Sequence, residues 1–241
     1  MIPLLPFIGF LLNGLGRKSL SKTMISVIGC GTVLASFLLS LRIFLNADYP
    51  ATAIHYFDFI HVGDLRIPFA FTIDQLSTLF LLIITGVGFL IHLYSTAYMH
   101  EEREEHFGRY FAYLNLFIFF MLLLVMGANY VIMFIGWEGV GLSSYLLIGY
   151  WFKNIDYTKA AKKAFVMNRI GDLGFLLAVF WILQEFGTVS FHELFNANNG
   201  KVASLSSQDS TAIIGITLLL FLGATGKSAQ IPLYTWLPDA M

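Results

Sequence analysis

The sequence has 241 residues, 57% of them hydrophobic and 12% charged, against roughly 45–50% and about 25% in a soluble domain. A net charge of -1 gives no reason to expect nucleic acid or an acidic polymer as a partner. Several apolar runs reach the ~18 residues that mark a membrane-spanning helix, so the composition excludes an ordinary soluble globule and implies an all-α polytopic protein facing a lipid bilayer.

Seven spans are expected, near residues 2–16, 24–45, 75–98, 110–127, 129–152, 162–185 and 211–231. Each is close to the ~20 residues that cross a bilayer except the short first one. That first run, MIPLLPFIGFLL, has neither the basic n-region nor the cleavage site of a signal peptide and precedes Arg17, Lys18 and Lys22, so it reads as a retained helix. The lone cysteine, Cys30, falls inside the second run and reads as a small buried hydrophobe. Between the second and third runs, residues 49–73 alternate loosely around Gly63-Asp64, which predicts a short β-hairpin. A connection rich in Ser and Asn, 188–210, precedes the last run and carries no motif.

Charge sets the orientation. With the N-terminus outside, the inner connections hold Arg17, Lys18, Lys22, Arg103, Arg109, Lys153, Lys159, Lys162 and Lys163, and the outer ones only Arg42, Arg66 and Lys201. Basic residues accumulate on the cytoplasmic side, so the N-out arrangement with an outer hairpin is expected. Tyr94, Tyr98, Tyr110, Tyr150, Trp151 and Trp181 sit toward the ends of their runs, where an amphipathic ring anchors at the membrane surface.

Charges within the apolar runs are the candidates for chemistry. Glu138 lies about nine residues, or ~14 Å, into its helix, near the middle of a ~30 Å hydrocarbon layer. A charge at that depth costs about 2.5–3.5 kcal/mol on insertion scales, so it needs a proton or a partner. Gly136, Gly139, Gly141, Ser143 and Ser144 around it favour close helix contact. The bland alternative is a protonated glutamate making one interhelical hydrogen bond.

Lys227 ends the run IIGITLLLFLGATG and is followed by Pro232 and Pro238, which remove backbone donors and predict a broken helix. Discontinuous helices at membrane depth line cavities or binding sites. A lysine there responds to any nearby carboxylate, while the competing reading is a lysine snorkelling to the interface. Arg169 and Asp172, at i and i+3, share a helix face and are close enough to pair, either functionally or as structural glue. His92 lies within a span, as a possible proton relay or as one buried hydrogen-bonded histidine. No His in the connections has metal-site spacing. The string ATGKS lacks the earlier glycine of a phosphate-binding loop, since position 221 is Phe, and no cofactor motif appears.

On these residues the chain resembles the antiporter-like membrane subunits of proton-pumping NADH:quinone oxidoreductase, respiratory complex I, over essentially all of its length. GWEGVGLSSYLLIGYW and GKSAQIPLYTWLPDAM are shared in outline with sibling subunits and with multisubunit cation/proton antiporters. KAFVMNRIGDLGF, through NRIGDLGF, is similar to the L type. The resemblance implies that Glu138 corresponds to the family's essential mid-membrane glutamate and Lys227 to the lysine at the helix break. It implies likewise that Asp172 and Arg169 match an ion pair that modulates the channel. PLYTWLP places Tyr234 where relatives often have a polar residue or histidine, which leaves a relay there unsupported.

The implied fold is the first half of an inverted-repeat antiporter-like architecture. Residues 1–110 would supply three helices with the hairpin, and 111–241 four helices of a proton half-channel, the last one broken. Members of the family are longer, so the chain is expected to be an N-terminal fragment. The implied setting is multi-pass, in the bacterial inner membrane, among other membrane subunits and beside a neighbouring antiporter-like one. No cofactor is expected in this chain, with NADH, FMN, iron–sulfur clusters and quinone held by other subunits. The expected activity is proton translocation in which Glu138 holds protonated Lys227 and a weakened pair releases the proton. A sodium/proton antiporter subunit is the nearest alternative. A structural scaffold, in which neutralising these charges costs assembly instead of pumping, is the other.

Overall fold

A computed structural model of the chain describes residues 1–46, 53–63, 65–196, 200–202 and 210–240. The elements run α1 (Leu4–Gly16), α2 (Lys22–Asn46), β1 (Ile54–Val62), β2 (Leu65–Phe71), α3 (Gln75–Tyr98), α4 (Glu104–Met126), α5 (Tyr130–Ile148), α6 (Ile155–Phe186), α7 (Phe191–Phe195), α8 (Ser210–Lys227) and α9 (Leu237–Ala240). Five of these, α2 to α6, are long and apolar enough to cross a membrane, and α1 and α8 are shorter apolar helices. The chain is thus a mostly helical integral membrane protein. α7 was not signalled by the sequence, being a single turn inside a polar connection.

Helix ends follow local chemistry. Asp74 and Ser77 form a reciprocal capping box at the start of α3, with Ser77 N donating to Asp74 Oδ1 at 2.7 Å and Asp74 N to Ser77 Oγ at 2.8 Å. α6 starts at the N-cap Asn154 and stops at Gly187, whose φ of 65° is the left-handed turn that glycine adopts without a Cβ penalty.

The chain forms two compact units that interleave along the sequence. The first comprises residues 1–51, 72–126 and 135–147. In it α1 packs on α4 and α2, and α3 packs on α2 and α4. Its interior is more polar than a soluble core, with Asn13, Ser36, Ser40, Thr85, His92 and Asn115 all buried. Thr32 Oγ1 donates to Asn115 Oδ1 at 3.0 Å, and Asn115 Nδ2 to Phe111 O at 2.9 Å. The first bond joins α2 to α4, where lipid gives no hydrophobic drive for helix association, and the second, within α4, satisfies the rest of the Asn115 amide.

In the same unit α5 meets α4 at two glycines. A Cβ added at Gly136 would overlap Leu124 N, and one at Gly139 would overlap the Phe120 ring. Large side chains project from the other faces, including Leu79, Leu90 and Leu93 of α3, as a lipid-facing helix requires.

The second unit comprises residues 52–71, 127–134 and 148–241. The expected hairpin is present here, β1 pairing antiparallel with β2 from Ile54↔Phe71 to Val62↔Leu65. Gly63, at φ 56°, begins its turn, and Asp64 lies outside the described residues. β1 is almost wholly exposed, whereas Ile67, Ala70 and Phe71 of β2 are buried. Ile67 joins Tyr130, Phe175, Ile182, Phe186 and Leu194 in the core of this unit.

Asn129 ties several segments of this unit together. Its Oδ1 accepts from Ile132 N at 2.9 Å, capping α5, while its Nδ2 donates to Pro68 O at 2.9 Å. Asn129→Ala removes the cap and orphans a partly buried carbonyl, a loss of about 2 kcal/mol. The expected result is a lower thermal unfolding midpoint for the purified full-length subunit, and an unchanged midpoint would show that the two bonds contribute nothing.

Candidate functional site

The site is built where α6 crosses α8. Both helices carry paired small residues on the crossing face, Gly171 and Gly174 on α6 and Gly223 and Gly226 on α8. A Cβ at Gly171 would lie 3.2 Å from both Gly223 O and Gly226 Cα, and one at Gly174 would lie 3.1 Å from Leu219 O. The backbones therefore approach as closely as glycine pairs allow in membrane helices. Further along, Gly215 faces the Trp181 ring, so the two helices run antiparallel in contact.

This crossing brings together two charges that are 55 positions apart in sequence. Lys227 Nζ stands 4.0 Å from Asp172 Oδ2, with side-chain exposures of 20% and 5%. A buried carboxylate needs either a proton or a compensating positive charge, and Lys227 supplies a charge. Lys227 also occupies the last turn of α8, where the helix dipole favours a cation. The separation is about 1 Å longer than a charge-assisted N–H···O bond, so the pair attracts without a direct hydrogen bond.

α8 stops at Lys227, and the chain is non-helical from there to α9. Ser228 N bonds Ala224 O at 3.0 Å, Gln230 N reaches back to Thr225 O at 2.9 Å, and Ala229 takes a left-handed φ of 51° between them. These bonds satisfy the terminal carbonyls in the manner of a Schellman cap. Trp236 Nε1 donates to Gly226 O at 3.0 Å, tying the far side of the break to the turn that carries Lys227. Leu233 is buried beside Gly226. Lys163 Nζ meets Asp239 Oδ2 at 2.6 Å, fastening α9 to α6. The ATGKS string is helical through Lys227 and forms no phosphate loop.

The remaining predicted residues fall as follows. Arg169 is exposed, with its guanidinium carbon 4.7 Å from the centre of the Phe165 ring. Glu138 is half-buried at the ninth position of the 19-residue α5, in the part of that helix that belongs to the first unit. His92, also in the first unit, is 1% exposed and donates from Nδ1 to Gly88 O at 2.8 Å, with the Phe111 ring edge against it. The structure therefore joins Lys227 with Asp172 in the second unit, while Glu138 and His92 belong to the first. The sequence reading passed over Asn168, Trp236 and the Lys163–Asp239 pair. The glycine spacings on α6 and α8 were the signal available for choosing the helix faces that meet.

Comparison with known proteins agrees with this architecture. Residues 127–241 match the family model for the membrane region of NADH:quinone oxidoreductase/Mrp antiporter proteins, and residues 59–111 match that for the N-terminus of NADH-ubiquinone oxidoreductase (complex I) chain 5. NADH-quinone oxidoreductase subunit L of Mycobacterium tuberculosis is 46% identical over 220 residues, covering 89% of this chain and 33% of the relative. The chain belongs to the antiporter-like subunit family of the L type.

Subunit L of Escherichia coli is 40% identical, covering 99% of this chain and 38% of the relative. NADH-ubiquinone oxidoreductase chain 5 of Metridium senile is also 40% identical, over 98% and 38%. The chain thus spans about a third of the length of the curated relatives it matches. Among solved structures, the Mrp complex of Dietzia sp. superimposes with a TM-score of 0.78 at 26% identity, over 99% of this chain and 25% of that one. An archaeal membrane-bound sulfane sulfur reductase chain gives 0.77 at 21% identity, over 99% and 35%, a likeness of fold alone.

Proposed function

We propose that this chain forms part of a proton-translocating membrane subunit of an NADH:quinone oxidoreductase. The observation that carries this reading is a lysine at the break of an interrupted helix, facing a buried carboxylate at 4.0 Å. In this reading residues 111–241 contribute the first part of a half-channel, α1 and α8 complete seven crossings with the N-terminus outside, and the hairpin lies on the outer side. The subunit sits in the bacterial inner membrane next to other membrane subunits, above all an antiporter-like neighbour. NADH, FMN, iron–sulfur and quinone chemistry belongs to other subunits.

Lys227 holds a transported proton while carboxylate charge favours its ammonium form, and gives it up when that hold weakens. Asp172 supplies part of the hold, and Arg169 beside it tempers the charge of Asp172. Glu138 is the second proton-bearing group, set in the middle of α5. Moving one elementary charge against 100 mV takes about 2.3 kcal/mol. That is less than two pKa units of change in the hold on one lysine, so rearranging a single ion pair meets the demand.

Glu138→Gln keeps the size and hydrogen-bonding ability of the side chain but cannot carry the proton. It is expected to reduce NADH-driven acidification of inverted membrane vesicles at least tenfold while the complex still assembles. Normal acidification in that variant would remove Glu138 from the pathway. The fold likeness to the Mrp complex favours a second reading, a cation/proton antiporter subunit. That reading predicts cation-driven proton exchange in vesicles with no NADH oxidation.

A further inference from the structure

We infer that Asn168 is a second acceptor for the Lys227 ammonium, giving the lysine a neutral station beside the charged one at Asp172. The inference rests on the proton-carrying role proposed for Lys227.

Asn168 lies four residues before Asp172 on α6, so the two side chains share a face and neighbour each other along it. Both belong to the buried face of the helix, with Asn168 7% exposed and Asp172 4%. This face is the one against the end of α8: a Cβ at Gly226 would lie 3.3 Å from Gly171 Cα and 3.6 Å from Asn168 O. Lys227 is the next residue. Asn168 Oδ1 is buried and accepts no hydrogen bond among the described residues. A buried amide oxygen without a donor is uncommon and costly, which calls for a donor within reach.

The donor that the fold supplies is the lysine. Its four-carbon stem is flexible and ends in three rotatable N–H groups. Side chains at i and i+4 are about 5–6 Å apart at Cβ, so a swing of that order carries the ammonium from Asp172 to Asn168. The charge environment of the two stations differs. α6 presents the carboxylate of Asp172, with Arg169 exposed over Phe165 next to it. α9 presents Asp239, which is engaged by Lys163. Tyr234, exposed, is the one titratable side chain of the link between α8 and α9.

At Asp172 a negative charge holds the ammonium form. At Asn168 the ammonium gains a hydrogen bond to the neutral amide oxygen, but the Coulombic hold falls away and the proton is released more readily. The swing loosens the ion pair and makes a hydrogen bond without any covalent change, and the proton then leaves nitrogen for the next acceptor along the path.

The test is the pH profile of proton pumping per NADH oxidised, in inverted vesicles holding the assembled complex with the full-length subunit. Asn168→Asp turns the neutral station into a charged one of the same shape. It is expected to move the alkaline midpoint of pumping up by about one pH unit, as a carboxylate near a lysine does. Asn168→Leu removes the acceptor and is expected to move it down by about half a unit. An unchanged midpoint in Asn168→Asp, a downward one, or shifts of the same sign in both variants overturns the role of Asn168. If Asn168→Leu does not assemble, the isosteric Asn168→Asp decides alone. Lys227→Ala in the same vesicles separates the two levels: pumping that persists there overturns the role of Lys227 and this inference with it. Loss of pumping there, with an unmoved Asn168→Asp profile, overturns only the neutral station.

Discussion

Replacing Lys227 by arginine is expected to stop NADH-driven pumping while leaving the subunit assembled. Arginine keeps the positive charge opposite Asp172 at the α6–α8 crossing, so the burial of that carboxylate remains compensated. What it loses is the ability to part with a proton. The guanidinium pKa lies ~2–3 units above that of lysine, which lowers the deprotonated fraction about a hundredfold or more. Coupled pumping should fall by a similar order, measured as vesicle acidification per NADH oxidised. A scaffold role for the same lysine predicts the reverse, with Lys227→Arg functional and Lys227→Ala unassembled. The pair of variants thus decides between transport and glue.

The second large effect is expected at Gly136, where α5 lies against α4. A Cβ there meets the backbone nitrogen, Cα and Cβ of Leu124, atoms that cannot rotate aside. Gly136→Leu forces the two helices apart, and overpacking of this kind costs roughly 1–3 kcal/mol even where neighbours are able to move. With backbone as the neighbour the cost is higher still. The subunit is expected to vanish from the assembled complex in native gels of membrane extracts. Gly31→Leu is the control, since nothing lies within 4 Å of a Cβ at that position. Equal amounts of both variants in the complex would show that the α4–α5 contact is dispensable.

The helical character of the chain and its hairpin were legible because both arise from local pattern. The α2–α6 spans follow from apolar runs, α3 and α6 begin at polar caps, and the hairpin follows from alternation about Gly63. Boundaries were less legible. α4 begins at Glu104 and α6 at Ile155, each about two turns before the apolar run, because charged residues continue a helix as readily as apolar ones once it leaves the hydrocarbon. The break after Lys227 was signalled by Pro232 and Pro238. How its carbonyls are satisfied was not, since Trp236 reaches Gly226 from ten residues away.

The sequence by itself determined that this is a membrane protein with costly charges at Glu138, Asp172 and Lys227, because hydropathy and depth along a helix are properties of one segment. It also determined the family, through the motifs around those charges. Tertiary structure alone decided that Lys227 meets Asp172 and that its neighbour Gly226 lies against the turn bearing Asn168. The partner of a buried charge depends on which helix faces touch and in what register. That was set by four glycines on two helices whose contact no local pattern specifies.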